Sequence, residues 1–424
     1  MSRADGGAFQ EGSRVTPPAA RLRVAIVADM LEERWPSMNL VADMLVEQLG
    51  TQSSDDVEAV LLRPTLVRRL TRLPGLQSKY ETADRVVNRF WDYPRWLARN
   101  RDAFDVFHIV DHSYAHLVHV LPAARTVVTC HDTDAFLSLV QPERGRSGLP
   151  KVLARRIRAG LQKAGRVVCP SMATRNELRQ YGILPLDRMV VAYNGVHEAY
   201  SASPDEAADE SIEQFVGGPD SRRVDLLHIG STIPRKRIDL LLRIVAAVKE
   251  REPGVRLLKA GGQFTSDQQE LVRTLGLEAD VVSLPFLDPA QLAALYRRAA
   301  AVLVTSDREG FGLPVVEAMA CGTPVVATDL PVLREIGGAA AAYAPLGDVA
   351  AWRERILAIW QERLNAQSRN LRRRSCLEQA ARFRWDVYAS AMAAIYRDLA
   401  PQDHRLQAPD FRLEESLSES SSRT

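Results

Sequence analysis

The sequence predicts an α/β fold of two Rossmann-like domains, each a doubly wound parallel sheet, that face each other across a cleft. Its 424 residues are too many for one compact domain, and its 46% hydrophobic and 25% charged content is ordinary for a globular protein. Short apolar runs, typical of strands buried on both faces, alternate with helical patterns twice along the chain. Residues 201–223, rich in Pro, Gly, Ser and acidic residues, separate the two alternations and predict a linker.

The first alternation covers residues 21–200 and predicts an N-terminal domain. Its strands are expected at "RLRVAIVAD" (21–29), "DVFHIVD" (105–111), "TVVTCHD" (126–132), "RVVCPS" (166–171) and "MVVAYNGV" (189–196), with helices at 38–49 and 172–182. Because parallel strands end at one edge of their sheet, the polar residues that close these runs should face the cleft.

The second alternation covers residues 224–384 and predicts a C-terminal domain. Its strands are expected at 224–231, 255–262, 280–286, 300–306 and 324–329, with helices at 237–251, 267–277, 290–299 and from Pro314. A long helical region follows, in which residues 385–399 are strongly amphipathic. We expect residues 1–20 and 401–424 to be disordered, because they are polar and carry no periodic apolar pattern.

Composition and charge narrow the class of protein. No apolar run approaches the ~18 residues that span a bilayer, and the N-terminus lacks the apolar centre of a signal peptide, so we expect a cytoplasmic protein. The four cysteines are scattered, which predicts buried, reduced thiols. The net charge of +2 gives no reason to expect nucleic acid. Residues 1–200 carry 27 Lys+Arg against 22 Asp+Glu, which would suit an anionic lipid or acceptor, or simply reflects a solvated surface.

The stretch "DREGFGLPVVEAMACG" (307–322) follows a predicted strand and opens a helix at Pro314. Glycines that admit close backbone approach and the free N–H groups of a helix start predict an anion site. Glu309 and Glu317 can accept hydrogen bonds from the vicinal diols of a nucleotide sugar. A loop acid and a dipole-stabilising acid are the simpler alternative, and a dinucleotide fingerprint is a further one that lacks its third glycine.

The stretch "GSTIPRKRID" (230–239) predicts a diphosphate site. Arg235 and Lys236 are adjacent on a loop that begins at Gly230, where they can neutralise the charge of a diphosphate leaving group. No Asp-x-Asp stands at a strand end of this domain to hold a metal, so we expect metal-independent chemistry. A solvated basic helix start is the alternative, although cations there oppose the helix dipole.

Taken together, "EGFGLPVVEAMACGTPVVATD", "GSTIPRKR" and the "NGV" at 194–196 resemble the family-4 retaining glycosyltransferases of the GT-B fold, from about residue 22 to residue 400. The resemblance implies a nucleotide-diphosphate sugar donor, no cofactor, and a terminal helix (385–400) that crosses back to the N-terminal domain. It implies catalytic roles for Glu309, Lys236, Arg235 and His131. The donor-binding set that it implies is Gly230, Ser231, Phe286, Gly310, Phe311, Gly312, Leu313 and Glu317, with the sugar on Glu309, the ribose on Glu317 and the base against 284–288.

The "CHD" at 130–132 resembles the family's His-Asp element after a strand. By that resemblance His131 would lie near the donor sugar or the acceptor hydroxyl, and Asp132 on the acceptor side would orient it. A structural histidine is the alternative. Four further histidines crowd one segment at metal-like spacing without a carboxylate partner, which does not favour a metal site: His108, His112, His116 and His119.

The sequence also departs from the family pattern. The loop after the first strand, "DMLEERWPSMN" (29–39), lacks the usual paired glycines, Arg237 stands where Asn or Gly is common, and Thr305 replaces a common proline. None of these positions is one of the two glutamates or the Arg-Lys pair.

The predicted function is retaining transfer of a hexosyl group from a UDP- or GDP-hexose to a hydroxyl of a glycan, lipid-linked or small-molecule acceptor. An epimerase or phosphorylase on the same frame, and a non-catalytic subunit of a polysaccharide assembly complex, stay open as alternatives. Residues 66–80 and 89–101 combine arginine with apolar or aromatic residues and predict a peripheral membrane contact. A failure to co-sediment with anionic liposomes would refute that contact.

Overall fold

A computed structural model describes residues 21–33, 35–53, 56–69, 77–141, 148–218, 220 and 222–401. Within them the chain forms two six-stranded parallel sheets. The first sheet contains β1 (Leu22–Val27), β2 (Val57–Leu62), β3 (Val106–Ile109), β4 (Thr126–Thr129), β5 (Arg166–Cys169) and β6 (Met189–Val191). The second contains β7 (Val224–Ile229), β8 (Val255–Ala260), β9 (Val281–Ser283), β10 (Ala301–Val304), β11 (Val325–Thr328) and β12 (Ala342–Ala344).

Helices cover both faces of each sheet. Those of the N-terminal half are α1 (Pro36–Gln52), α2 (Gln77–Val87), α3 (Tyr93–Arg99), α4 (Asp134–Val140), α5 (Leu149–Lys163) and α6 (Met172–Gln180). Those that follow are α7 (Glu206–Val216), α8 (Ile238–Lys249), α9 (Ser266–Thr274), α10 (Pro289–Arg298), α11 (Leu313–Ala320), α12 (Pro331–Gly337), α13 (Val349–Leu364), α14 (Ala366–Ala380) and α15 (Trp385–Leu399).

The strand order places one reversal in each sheet. The orders are β2-β1-β3-β4-β5-β6 and β12-β11-β10-β7-β8-β9. The order reverses between β1 and β3 in the first sheet and between β7 and β10 in the second. Ligands of open α/β sheets bind beyond the carboxyl ends of such strand pairs, because the connections leave toward opposite faces and open a crevice there. The residues that follow β1, β3, β7 and β10 are therefore the candidates for a ligand site.

Burial on both faces explains why the strands have near-continuous apolar sequences. In β1, Ala25 and Val27 belong to one core while Val24 and Ile26 belong to the core on the opposite face. The second sheet is likewise packed between two cores. This confirms the predicted fold of two doubly wound parallel sheets. Most of the strands end two or three residues before the predicted runs end, because the polar closing residues leave the sheet.

The segment 201–223 is more structured than the linker that its composition predicts. It contains α7, which Asp205 caps by accepting from the Ala208 backbone N–H at 3.1 Å. The buried side chains of Ala208, Ile212 and Val216 join the core of the second sheet. The interpretation as a loop was wrong for residues 206–216, because three apolar residues at helical spacing outweigh the abundant acids around them.

The terminal helix α15 packs on the first sheet, which confirms the predicted crossing. Its buried residues Tyr388, Met392 and Tyr396 share a core with β1 and β3. The hydroxyl of Tyr396 lies 2.7 Å from Nδ1 of His108, whose Nε2 lies 2.7 Å from the Thr129 hydroxyl. Residues 1–20 and 402–424, expected to be disordered, lie outside the described residues.

Candidate active site

The loop that follows β7 and the loop that follows β10 are hydrogen-bonded to each other. The Arg235 carbonyl accepts from the Asp307 N–H at 2.8 Å, and the Lys236 carbonyl accepts from the Thr305 hydroxyl at 2.9 Å. The threonine that departs from the family pattern thus supplies a hydrogen bond that proline could not donate. Arg237, the other departure here, has the left-handed φ of 49° that favours Gly or Asn.

Glu309 is the centre of this junction. Its carboxylate lies 2.5 Å from Nζ of Lys236 and 3.2 Å from Nη1 of Arg235, and it accepts from the Ser306 hydroxyl at 2.7 Å. Its side chain is only 8% exposed. Burial raises the pKa of Glu309, but the charges of Lys236 and Arg235 outweigh burial and hold the pKa below its ordinary value of 4.5. The structure therefore brings together three of the predicted catalytic residues, since Lys236 and Arg235 both contact the buried, ionised carboxylate of Glu309.

Glu317 occupies a different environment. It is buried in α11 and accepts from the Tyr296 hydroxyl at 2.7 Å. Burial raises the pKa of Glu317 to about 7, and the Tyr296 hydrogen bond and the Lys236 charge oppose the rise only in part. The two glutamates are thus distinct, since Glu309 is a fixed anion whereas Glu317 titrates near neutral pH.

The structure adds a buried lysine that the sequence analysis missed. Nζ of Lys259, at the end of β8, donates to the carbonyls of Gly230 (2.6 Å), Ala260 (3.0 Å) and Gly261 (3.1 Å). Burial and the nearby Lys236 lower its pKa to about 8. Lys259 fixes the loop that starts at Gly230, and a lysine inside the apolar run "VRLLKA" was the available signal.

The two halves of the molecule touch at Gly310. A Cβ at this position would lie 1.5 Å from the His131 carbonyl oxygen and 3.3 Å from Cβ of Asp132. The Gly310 carbonyl also accepts from the hydroxyls of Ser171 (2.8 Å) and Thr174 (3.1 Å) at the start of α6. Position 310, directly after Glu309, therefore requires glycine, because backbone of the other domain occupies the space of a side chain.

His131 lies at this contact, but Asp132 does not orient it. Nε2 of His131 lies 2.7 Å from the Val110 carbonyl, which can only accept, so Nε2 carries the proton. Burial lowers the pKa of His131, which keeps the ring neutral and Nδ1 unprotonated. Asp132 instead lies 3.5 Å from Nε2 of His112. The predicted pairing was wrong, because the ring of His112 lies between the carboxylates of Asp132 and Asp111.

His112 also contacts Asp111, which follows β3 in the N-terminal half. Nδ1 of His112 lies 3.3 Å from the Asp111 carboxylate. Burial lowers the pKa of His112, but the hydrogen bond to Asp132 and the charge of Asp111 outweigh burial and raise it. Asp111 is itself held ionised, since burial is opposed by His112, His131 and two hydrogen bonds from Ser113.

Asp29, two residues beyond the end of β1, is a buried carboxyl group of the N-terminal half. It is 2% exposed, and neither carboxylate oxygen has a hydrogen-bond partner among the described residues. Burial raises the pKa of Asp29 well above 3.8, and the charges of Asp111 and Glu33 raise it further. A protonated Asp29 can donate to the ionised Asp111. Both aspartates close apolar runs in the sequence, and both follow the strands of the β1/β3 reversal.

The other residues of the predicted donor-binding set do not take part in the ion pairs of Glu309. Phe286 is 89% exposed, so no base pocket encloses it, and Ser231 is exposed on its loop. The Phe311 ring packs edge-to-face on Phe383 at 5.6 Å, which leaves only its backbone for a ligand. Gly312 has a φ of 95° and precedes Leu313, the first residue of α11.

The described part of the chain contains neither a group of side chains suited to a metal ion nor a membrane-spanning helix. There, no group of three or more His, Cys, Asp or Glu side chains could hold a metal ion, and the four crowded histidines bond to separate partners. The same residues include no helix long and apolar enough to cross a membrane. The four cysteines are free and buried, as predicted.

The segments predicted to contact a membrane are only partly described. Residues 70–76 lie outside the described residues. In the segment 89–101, Phe90 packs on His116 at 4.3 Å and Trp96 lies near Tyr93, while Trp91 is 57% exposed beneath Arg95. The membrane contact stays a prediction.

Comparison with known proteins identifies both halves. The model for Glycosyltransferase Family 4 matches residues 48–200, and the model for Glycosyl transferases group 1 matches residues 209–375. A protein of Segniliparus rotundus named D-inositol 3-phosphate glycosyltransferase is 32% identical over 286 residues, which are 64% of this chain and 60% of that protein. A Rhodococcus erythropolis protein of the same name is 35% identical over 38% of this chain and 42% of its own. The matches thus span less than two thirds of these relatives' length.

Solved structures share the fold. Sucrose-phosphate synthase from Thermosynechococcus elongatus superposes with a TM-score of 0.67 at 19% identity, over 89% of this chain and 99% of that one. Anabaena HepE in complex with UDP-glucose gives a TM-score of 0.66 at 17% identity, over 89% of this chain and 100% of that one. These likenesses establish the two-domain GT-B architecture.

We predict that Gly310→Ala separates the two domains. Its added methyl group would overlap the His131 carbonyl, so the variant should lose roughly 2 kcal/mol or more of unfolding free energy and expand in small-angle scattering. Gly50→Ala is the control, because a Cβ there meets no atom within 4 Å and alanine favours a helix. Equal stability of the two variants would contradict this account of the contact.

We predict that Glu317 makes stability depend on pH. The folded state raises the pKa of Glu317 from 4.5 to about 7, so it holds a proton that the unfolded state has lost. This stabilisation is present below pH 4.5 and is lost as the pH rises through 7. Denaturant titrations should show a fall in unfolding free energy over that window that Glu317→Gln removes. The control Glu354→Gln, exposed on α13, should keep the wild-type slope.

Proposed function

The chain belongs to the family 4 glycosyltransferases, and from that premise we propose that it is a retaining hexosyltransferase that uses a nucleotide-diphosphate sugar. The observation that carries the proposal is the buried Glu309 carboxylate held between Lys236 and Arg235 at the β7/β10 reversal. Two cations and an anion at one point suit a reaction in which a diphosphate leaves and the sugar becomes positively charged. The proposed donor is a UDP- or GDP-hexose.

In the proposed reaction the bond between the anomeric carbon and the diphosphate oxygen breaks first. Lys236 and Arg235 stabilise the negative charge on that oxygen, and Glu309 orients the sugar hydroxyls and stabilises the oxocarbenium-like carbon. The acceptor hydroxyl attacks from the face that the diphosphate leaves and gives its proton to the departing phosphate oxygen. The two side-chain cations then supply the neutralisation that a metal ion would otherwise provide.

Glu317 is proposed to bind the ribose diol of the donor. It lies on the helix whose first residues follow the glycine turn, and its hydrogen bond to Tyr296 fixes one oxygen while the other stays available. Since an ionised carboxylate accepts from both ribose hydroxyls, donor affinity should rise as the pH passes 7.

The acceptor is proposed to bind beyond the β1/β3 reversal, where Asp29 and Asp111 lie. Asp29 is buried and its carboxyl oxygens accept no hydrogen bond from the described residues, while Arg89 nearby is already engaged by Glu33 at 3.4 Å and by the Ser113 carbonyl. A protonated Asp29 that donates to Asp111 keeps one oxygen that accepts no hydrogen bond, and this oxygen can accept from a hydroxyl of a sugar or polyol. The relatives named D-inositol 3-phosphate glycosyltransferase make a polyol acceptor a reasonable class to test.

The first test is removal of the central ion pairs. Glu309→Ala and Lys236→Ala should each lower kcat by roughly 100-fold or more, since each deletes a charge that acts mainly in the transition state. The measurement is sugar transfer with donor and acceptor both saturating, with EDTA added to show that wild-type transfer needs no metal. Arg243→Ala, on α8 but outside this cluster, is the control. Near wild-type transfer by both site variants would overturn the site assignment.

The same assay separates the alternative enzymes. A transferase releases nucleoside diphosphate at a substantial rate only when an acceptor is present. Acceptor-independent conversion of the donor would instead favour an epimerase, and transfer to inorganic phosphate a phosphorylase. No thermal stabilisation by UDP, GDP or ADP would favour a non-catalytic subunit.

The acceptor side has its own prediction. Because Asp29 is held neutral, Asp29→Asn preserves a neutral polar group and should keep most activity. Asp29→Leu removes the group and should raise the acceptor KM at least tenfold while the donor KM stays unchanged. Steady-state kinetics at fixed, saturating donor make the comparison. If Asn were as damaging as Leu, Asp29 would have to act as an anion, contrary to this account.

A further inference from the structure

A second basic site lies in the C-terminal half, away from the cleft. A cavity of about 370 Å³ opens where α13 meets α14, beneath the amino ends of β10 and β11. Its lining includes five arginines and one glutamate: Arg297, Arg363, Arg369, Arg372, Arg373 and Glu362. The proposed active site lies beyond the carboxyl ends of the same sheet. The two sites are therefore on opposite edges, joined by α11, whose eight residues span about 12 Å.

Two of these arginines are neutralised within the protein. Arg372 forms a bidentate pair with Glu362, with contacts of 2.8 Å and 2.9 Å. Arg297 contacts the Asp209 carboxylate at 2.7 Å. These pairs are structural, since they tie α14 to α13 and α10 to α7.

The other three arginines form no ion pair with a carboxylate in the part of the chain described. Arg373 donates to the Ala202 carbonyl at 3.0 Å and is otherwise exposed to solvent, so its charge has no carboxylate partner. Arg363 is half-buried, and burial lowers its pKa; the charge of Asp225 opposes this effect, and the like charge of Arg369 adds a smaller lowering. The cavity therefore gathers one half-buried and two exposed guanidinium groups that an anion could join.

We propose that this cavity binds a small soluble molecule that carries phosphate groups, at a site separate from the donor site. Guanidinium groups match phosphate oxygens in charge and in bidentate geometry. The cavity volume is that of a metabolite-sized site. Cys321, Gly322 and Thr323 line the cavity directly after α11, whose first turn faces the proposed donor site.

Inorganic pyrophosphate is the probe, measured by isothermal titration calorimetry at low salt on the full chain. The titrations use a Lys236→Ala background, because pyrophosphate also resembles the diphosphate of a donor. Arg369→Ala with Arg373→Ala should weaken pyrophosphate binding at least tenfold. Arg374→Ala is the matched control, since Arg374 is an exposed arginine of the same helix that pairs with Glu378 and does not line the cavity.

Three results would overturn the proposal. One is unchanged affinity in the double variant, which would leave pyrophosphate in the cleft. Another is an equal loss in Arg374→Ala, which would show a general charge effect. The third is that pyrophosphate does not bind, whereas phosphatidylglycerol vesicles bind the protein that has both arginines and do not bind the double variant. That result would assign the arginines to a lipid surface. Thermal melts check folding, and Arg369→Gln replaces the double variant if that one unfolds.

The test is independent of the proposed transferase activity. With lysine restored at 236 and no phosphate added, the double variant should transfer sugar within about twofold of wild type, since neither arginine reaches the cleft. Failure of the cavity proposal would leave the Glu309 and Lys236 results intact, and failure of those results would leave the calorimetry intact.

Discussion

The arrangement of the cleft depends on one buried charge. Glu309 stays ionised, although burial disfavours it, only because Lys236, Arg235 and Ser306 hold it. Those partners come from two different loops, so the carboxylate also fixes the loops relative to each other. The hydrogen bonds from Asp307 and Thr305 to the backbone of Arg235 and Lys236 complete the junction. Removing the anion would leave two cations facing each other, so the geometry of the diphosphate side depends on it.

The same loop sets the distance between the domains. Gly310 follows Glu309 directly, and its bare backbone lies against the His131 carbonyl. The hydroxyls of Ser171 and Thr174 hold the Gly310 carbonyl from the opposite domain. Any movement of this loop that repositions the carboxylate therefore also moves the contact with the N-terminal domain. In a transferase this coupling would link donor binding to the exclusion of water, because closure and catalytic geometry share one peptide.

Local patterns were enough to predict the parallel sheets and most strands and to single out Glu309, Lys236 and Arg235, but not the ion pairs that join these three residues. Double burial makes strand sequences apolar, and loops at strand ends carry charges that the core cannot. The pairing of His112 with Asp132, the burial of Asp29 beside Asp111 and the three carbonyls around Lys259 could not be predicted, since each depends on which strand ends meet in space. The helix α7 was missed because its surface acids dominate the composition, and only the spacing of its three buried apolar residues indicates it.

The acids around Arg235 are not equivalent, which determines how a diphosphate could be accommodated. Arg235 contacts Glu309 at 3.2 Å and, across the domains, Asp134 at 3.6 Å, while Arg308 contacts Asp134 at 2.9 Å. Burial and the nearby Asp132 raise the pKa of Asp134 to about 6, whereas the pKa of Glu309 is lowered. A diphosphate bound at Arg235 would therefore raise the pKa of Asp134 further, or displace its carboxylate, before it affects Glu309. A donor would then replace the interdomain contact and leave the anion that the sugar's developing positive charge requires.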